Sequence, residues 1–183
     1  MSLTPEEKKE LFKKAKRKTV YKATHFDYVV DEIRSPAGIL HTYDTVVHPG
    51  ASVMIPVDEE GRLILVRQYR HSIGTYTYEF PAGKIDSGED PETAALRECQ
   101  EEIGKLPKKL TKLFITYPAP SYSSEQLHFF LARDLVDRSL PKDELEAIDV
   151  HHLTLKEALQ LVNEGKIIDA KTALGILYYE KNH

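Results

Sequence analysis

The chain has 183 residues, enough for one domain, or one domain with a small extension, that buries roughly two-thirds of its unfolded surface. Its 41% hydrophobic and 30% charged residues are ordinary for a soluble globular protein, and no run approaches the ~20 apolar residues that would span a bilayer. A net charge of -4 argues against broad nucleic-acid binding, while leaving room for a local basic site that takes a phosphorylated small molecule.

In chain order, MSLTPEEKKELFKKAKRK has neither the apolar core nor the small-residue cleavage site of a signal peptide, so a cytoplasmic location is expected. Within it, Thr4-Pro5-Glu6-Glu7 is a helix start: a capping hydroxyl, proline at the first helical position and early acids. From 18 to 47, alternating apolar and polar residues broken by Ser35-Pro36-Ala37-Gly38 predict a small antiparallel unit of two or three strands. Its apolar residues are too few for a core of its own, so 1–47 is expected to pack on the main body or on a second subunit. His48-Pro49-Gly50 reads as the hinge to a main domain over 48–183.

Strand-like runs follow at 51–57, 62–69, 75–80, 112–117, 127–132 and 148–153. Helices interrupt them: Asp90-Pro91 opens one that Gly104 closes, Thr154 opens one that Gly165 closes, and Asp169 caps a last one reaching Tyr179. Strands in the majority with separated helices imply an α+β architecture, an α/β/α sandwich in which helices cover a mixed sheet.

The helix after Pro91 carries the chemistry. At about 100° per residue, Leu96, Cys99 and Ile103 form one apolar stripe with Ala95 beside it, and Glu98, Glu101 and Glu102 gather on an adjoining arc. Cys99, the only cysteine, reads as a small buried apolar side chain. A charge run is usually a solvated face. Here Glu98 and Glu102 are like charges at i,i+4, which costs a few tenths of a kcal/mol, and the only cation within the helix is Arg97. Clustered carboxylates are the ligand set of a hard divalent cation, and a site that keeps water and borrows phosphate oxygens suits Mg2+, with Mn2+ the alternative. Gly83 and Gly88 flank the preceding loop, where backbone carbonyls can turn toward a ligand.

The full string is Gly83, five residues, Glu89, seven residues, Arg97-Glu98, two residues, Glu101-Glu102, one residue, Gly104. It resembles the signature box of the Nudix hydrolases at every charged and glycine position. It departs only at the apolar positions, which hold Cys99 and Lys105. The resemblance implies the Nudix fold, with Glu98, Glu102 and the backbone carbonyl of Ala82 as metal ligands. It makes Glu101 a further ligand or a carboxylate close behind them, counted among the catalytic groups, and pairs Glu89 with Arg97.

Three flanking stretches are similar to the branch that cleaves ADP-ribose and nucleoside diphosphate sugars: Val66-Arg67-Gln68-Tyr69-Arg70, Glu79-Phe80-Pro81-Ala82-Gly83 and Tyr117-Pro118-Ala119-Pro120-Ser121. Asp169-Ala170-Lys171-Thr172-Ala173 is familiar from the same branch. Arg70 offers a planar fork of donors to a pyrophosphate oxygen. Glu79 is an acceptor for a base or ribose, and Tyr122 sits on a proline-stiffened loop suited to wall a pocket. A general base is still required. By resemblance it lies on the late acidic loop Asp143-Glu144-Leu145-Glu146, at Glu146 with Glu144 as the alternative. His151 and His152, adjacent on a strand, point to opposite faces and share no role.

The expected activity is metal-dependent hydrolysis of the pyrophosphate bond of a nucleotide-sugar substrate, of ADP-ribose or GDP-mannose type, to a nucleoside monophosphate and a sugar phosphate. The alternative is a Nudix-fold sensor that binds without cleaving, a class that usually lacks the box glutamates. The resemblance also implies a homodimer in which the N-terminal strands reach the other subunit's pocket. Neither nucleic acid nor membrane is an expected partner.

Overall fold

The computed structural model describes residues 3–141 and 148–183, and these divide into two compact units. The first comprises the described residues of 1–49 with 119–125, the second those of 50–118 with 126–183.

In the first unit, Thr4 caps helix α1 (Pro5–Phe12) through a reciprocal box with Glu7, satisfying two otherwise orphan backbone donors. Strands β1 (Lys16–Lys22), β2 (Asp27–Arg34) and β3 (Leu40–Val47) form an antiparallel sheet in that order. Only the middle strand buries side chains, Val29 and Ile33, whereas every residue of β1 is exposed. The 119–125 loop docks on the end of β3: Val46 N–H donates to the Tyr122 carbonyl and Ser124 N–H to the Val46 carbonyl.

The second unit holds two sheets. One has the order β10 (Asp149–Leu153), β5 (Leu63–Arg70), β6 (Thr75–Glu79), all antiparallel. The other runs β7 (Ala82–Lys84), β4 (Ala51–Pro56), β9 (Leu127–Asp137), β8 (Lys105–Thr116), with β4 and β9 parallel. Every residue of β4 is buried, as a strand covered on both faces must be. Val53, Ile55, Leu63 and Leu65 point into one cluster with Phe80, Phe129 and the helices α3 (Leu155–Asn163) and α4 (Ala170–Asn182). Met54, Ile64, Val66 and Phe130 point into the other, with Ala95, Cys99 and Ile103 of α2 (Pro91–Glu102). Helices thus cover both faces of the sheets in the second unit, an α+β sandwich.

Two strands escape the sequence pattern. β7 is three small or polar residues with no alternation, formed because it pairs with β4 (Val53 opposite Ala82, Ser52 opposite Gly83). β8 begins at Lys105, seven residues before the predicted run. Its early part, Lys-Leu-Pro-Lys-Lys, is tolerated because β8 is an edge strand, where proline and lysines are at home. Lys105, at an apolar position of the box, opens this strand and pairs with Asp137 at 2.5 Å. Gly104, at φ +68, turns the chain out of α2.

Candidate active site

Asp90 accepts hydrogen bonds from the N–H groups of Glu92 and Thr93 and so fixes the start of α2. Ser52 Oγ, from buried β4, donates to the Pro91 carbonyl at 2.6 Å and ties that first turn to the sheet. The helix presents to the core a stripe different from the one the sequence suggests. Ala95, Cys99 and Ile103 are buried, but Leu96 is only half-buried, and Glu98 and Glu102 share the buried side at 9% and 6% exposure. The carboxylates are part of the packed face rather than a wet arc beside it.

Their place is made by β7. A Cβ at Gly83 would lie 1.8 Å from Glu98 Cδ, so only glycine lets the carboxylate rest against the strand. Gly83 is required for this close approach and not for a positive φ, which among this loop's glycines belongs to Gly88. Glu102 Oε2 accepts from Ala82 N–H at 3.1 Å. The two predicted ligand side chains and the predicted carbonyl residue therefore converge on β7.

Arg97 holds the acids together. Its Nε and Nη2 donate to the two carboxylate oxygens of Glu89, each at 3.0 Å, and Nη2 also to the Lys84 carbonyl. Its Nη1 reaches Glu98 at 2.5 Å and Glu101 at 3.0 Å. The sequence pairs Arg97 with Glu89 alone; one guanidinium in fact serves three carboxylates, and it supplies part of the charge compensation that the sequence assigned wholly to a metal. Hydrogen bonds from Arg97 pull the Glu89 carboxyl below its ordinary range. The Arg97 guanidinium is pushed up in turn, by Glu89 first, with Glu98 and Glu101 adding to it. Burial, with the charges of Glu102 and Glu98, raises the Cys99 thiol far from reactivity.

Among the described residues, no three His, Cys, Asp or Glu side chains stand together closely enough to hold an ion by themselves. The donor set still fits a hard cation. Two buried carboxylates and a nearby peptide carbonyl supply oxygen only, and a cation that keeps waters and substrate oxygens needs no further protein ligand.

The other predicted residues fall into a second cluster. Arg70 Nε and Nη2 each donate to a different oxygen of Glu79 at 2.6 Å, a bidentate pair. Glu79 also accepts from Thr77 Oγ1 and Lys171 Nζ and is only 2% exposed. The carboxylate expected to face a base or ribose is, in this structure, the anchor of Arg70. Burial works to raise the Glu79 carboxyl, but Arg70 and Lys171 outweigh it and bring it down to about 2. Arg70, Thr77, Glu79, Asp169 and Lys171 line a cleft of about 390 Å³. In the sequence Asp169 shows only as the cap of the last helix, and the lysine two residues after it is the one signal of this cluster.

Tyr122 belongs to the first unit and is exposed. Glu146, with Glu144, lies outside the described residues. His151 packs edge-on against Tyr78, while His152 Nδ1 sits 2.8 Å from Asp58 on the other side of the strand.

Comparison with known proteins follows the same lines. The family described as NUDIX domain matches residues 46–172. The chain is 38% identical over 166 residues, 90% of each chain, to an ADP-ribose pyrophosphatase of Bacillus subtilis (strain 168). It is 32% identical over 169 residues to a GDP-mannose pyrophosphatase of Yersinia pestis (strain Pestoides F), covering 86% of this chain and 82% of the relative. Among solved structures it is similar to an ADP compounds hydrolase, with a TM-score of 0.79 and 27% identity over 91% of this chain and 90% of that one.

Two outcomes are expected from this geometry. Gly83→Ala forces only the mobile end of Glu98 to move, so unfolding in urea should change by less than about 1 kcal/mol. Mn2+ binding followed by electron paramagnetic resonance should nevertheless weaken by roughly 10- to 100-fold. Glu79→Gln should lose roughly 2–3 kcal/mol at pH 7, because it leaves Arg70 and Lys171 facing a neutral group. Since the Glu79 carboxyl is lower in the folded chain, about 2, than its ordinary 4.5, its contribution is full above pH 4.5 and fades as pH falls toward 2. Urea melts across that window should show the wild type and the variant converging.

Proposed function

This chain belongs to the Nudix hydrolase family, and we propose that within it the protein hydrolyses the pyrophosphate bond of nucleoside diphosphate sugars, ADP-ribose or GDP-mannose among them. The products are a nucleoside monophosphate and a sugar 1-phosphate, or ribose 5-phosphate when ADP-ribose is cleaved. The observation that carries the reading is the seating of the Glu98 carboxylate against Gly83. A buried acid is costly, and a strand that makes room for one beside the Ala82 peptide is built around its negative charge. Relatives named for ADP-ribose and for GDP-mannose both align over more than four-fifths of the chain, which supports the substrate class and leaves base and sugar to experiment.

Nudix hydrolases generally need a divalent metal; we assign Mg2+, or Mn2+, to Glu98, Glu102 and the Ala82 carbonyl, with Glu101 as a further ligand or a catalytic carboxylate close behind. When bound, such an ion polarises phosphoryl oxygens and lowers the pKa of coordinated water. The chain's own residues do the rest. Arg97 keeps Glu98 and Glu101 on one side of α2 and ties both to the Glu89 loop. Arg70, oriented by Glu79, donates to a diphosphate oxygen and compensates charge as the bridging P–O bond breaks and the new bond from water oxygen to phosphorus forms. Glu146 takes the proton that water gives up, with Glu144 as the alternative.

The N-terminal segment 1–47 we assign to dimerisation and to the substrate wall, with Tyr122 among the wall residues. Support comes from apolar side chains left open there: Val20, Tyr21, Ile39 and Leu40 are all exposed, more than a small unit leaves to water without use. No helix among the described residues is long and apolar enough to cross a membrane, and the proposed location is the cytoplasm.

Incubation with ADP-ribose and with GDP-mannose, each with Mg2+, tests the activity. Phosphatase-sensitive products are expected from at least one, and both nucleotides left intact would point to a non-cleaving sensor. Glu102→Gln should lower kcat by at least about 100-fold while circular dichroism stays unchanged. Light scattering at micromolar protein should return twice the 20.9 kDa chain mass; the chain mass alone would remove the dimer.

A further inference from the structure

Three elements grip Phe80, Pro81 and Ala82, the entry to β7 and its first residue. Met54 N–H of β4 donates to the Pro81 carbonyl at 2.9 Å. Ala82 N–H donates to Glu102 of α2 at 3.1 Å. Phe80 N–H donates to Thr172 Oγ1 of α4 at 2.8 Å, across 92 positions of sequence. The last grip is built with care. Thr172 is fully buried, and its hydroxyl has one proton to give and two lone pairs that can accept. The proton goes to Asp169 Oδ2 at 2.6 Å, which also accepts from Thr172 N–H and Lys171 Nζ. With the proton so placed, a lone pair of the hydroxyl accepts from Phe80 N–H, so the same carboxylate that caps α4 fixes which way the hydroxyl points.

The side-chain packing agrees with the hydrogen bonds. A Cβ at Gly175 would lie 2.7 Å from Phe80 Cε2 and 3.4 Å from Ile55 Cδ1, so α4 lies as close to Phe80 as a glycine permits. Phe80 has no exposed surface and sits in one cluster with Ile176 and Tyr179 of the same helix. The segment cannot shift along its axis without breaking a buried hydrogen bond, nor sideways without meeting α4.

We propose that Thr172 is a positioning residue for the cation site: through Phe80 it sets the placement of the Ala82 peptide opposite Glu102. This rests on the assignment of Ala82, Glu98 and Glu102 as the cation ligands. Thr172 itself touches neither ion nor substrate. Thr172 therefore acts on the reaction only through the backbone it holds, whereas Lys171 of the same motif acts on Arg70 by way of Glu79.

Mn2+ titration of the full-length protein, followed by electron paramagnetic resonance and calorimetry without nucleotide, tests the proposal by a readout that stability alone does not move. Thr172→Val should bind Mn2+ at least about tenfold more weakly, while Thr172→Ser, which keeps the hydroxyl, should stay within about threefold of the wild type. Leu159→Ala, which loosens the α3 side of the core and leaves the three hydrogen bonds of 80–82 in place, should melt earlier yet bind Mn2+ as the wild type does. Wild-type affinity in Thr172→Val alongside lost binding in Glu102→Gln overturns the positioning role and leaves the ligand assignment standing. Wild-type affinity in Glu102→Gln overturns the ligand assignment itself. Should Thr172→Val not fold, Gly175→Ala decides, since it displaces the Phe80 ring and removes no hydrogen bond: weakened Mn2+ binding supports the proposal, and unchanged binding overturns it.

Discussion

Glu98 and Glu102 stand one turn apart on α2, largely withdrawn from solvent, and the cost of keeping two like charges there shapes much of what surrounds them. Burial of an ionised carboxylate is tolerated only where hydrogen bonds and opposite charge replace the lost water. The structure supplies both, from different directions. β7 offers a backbone N–H to Glu102 and a side-chain-free surface to Glu98. Arg97 offers one guanidinium to Glu98, Glu101 and Glu89 at once, while also holding the Lys84 carbonyl at the end of β7. Helix, loop and strand are therefore fastened by the same charges that are proposed to hold a cation.

A second arrangement repeats the logic with opposite sign. Arg70, proposed to meet a diphosphate, is a partly exposed arginine on a strand end, where the side chain has many rotamers. Glu79 removes that freedom by binding two nitrogens of the fork, and Lys171 and Thr77 hold Glu79 in turn. The organisation is paid for by folding rather than by substrate binding. Both clusters rest on the end of β6, residues 80–81 and β7, a stretch of six residues that carries Glu79 at one end and Lys84 at the other.

The helices were legible because their signals are local. Thr4, Asp90, Thr154 and Asp169 each stand where a side-chain oxygen can reach the N–H of a residue two or three positions on, and each does so. The long apolar strands were legible for the same reason, since β4, β5 and β9 write their burial into successive residues. β7 and the first half of β8 were not. Ala82-Gly83-Lys84 has no pattern of its own and becomes a strand only because β4 offers it an edge, and Lys105–Lys109 extends only because β9 runs alongside.

The spacing of Gly83, Glu89, Arg97, Glu98, Glu101 and Glu102 was enough to name the chemistry and the family, because a helix turns a fixed angle per residue and a ligand set within one turn is set by covalent order. What the spacing could not say is which way the helix faces the sheet. That depends on side chains far away in sequence, and it turned Glu98 and Glu102 inward and left Leu96 half-exposed. Arg97's hold on the Lys84 carbonyl, the withdrawal of Glu79 behind Arg70 and the reach of Thr172 to Phe80 each join residues whose separation in the chain carries no information about their distance in space. Local geometry and covalent order determined the elements and the candidate ligands; only tertiary packing, which prices every buried charge against its neighbours, decided how those ligands are held.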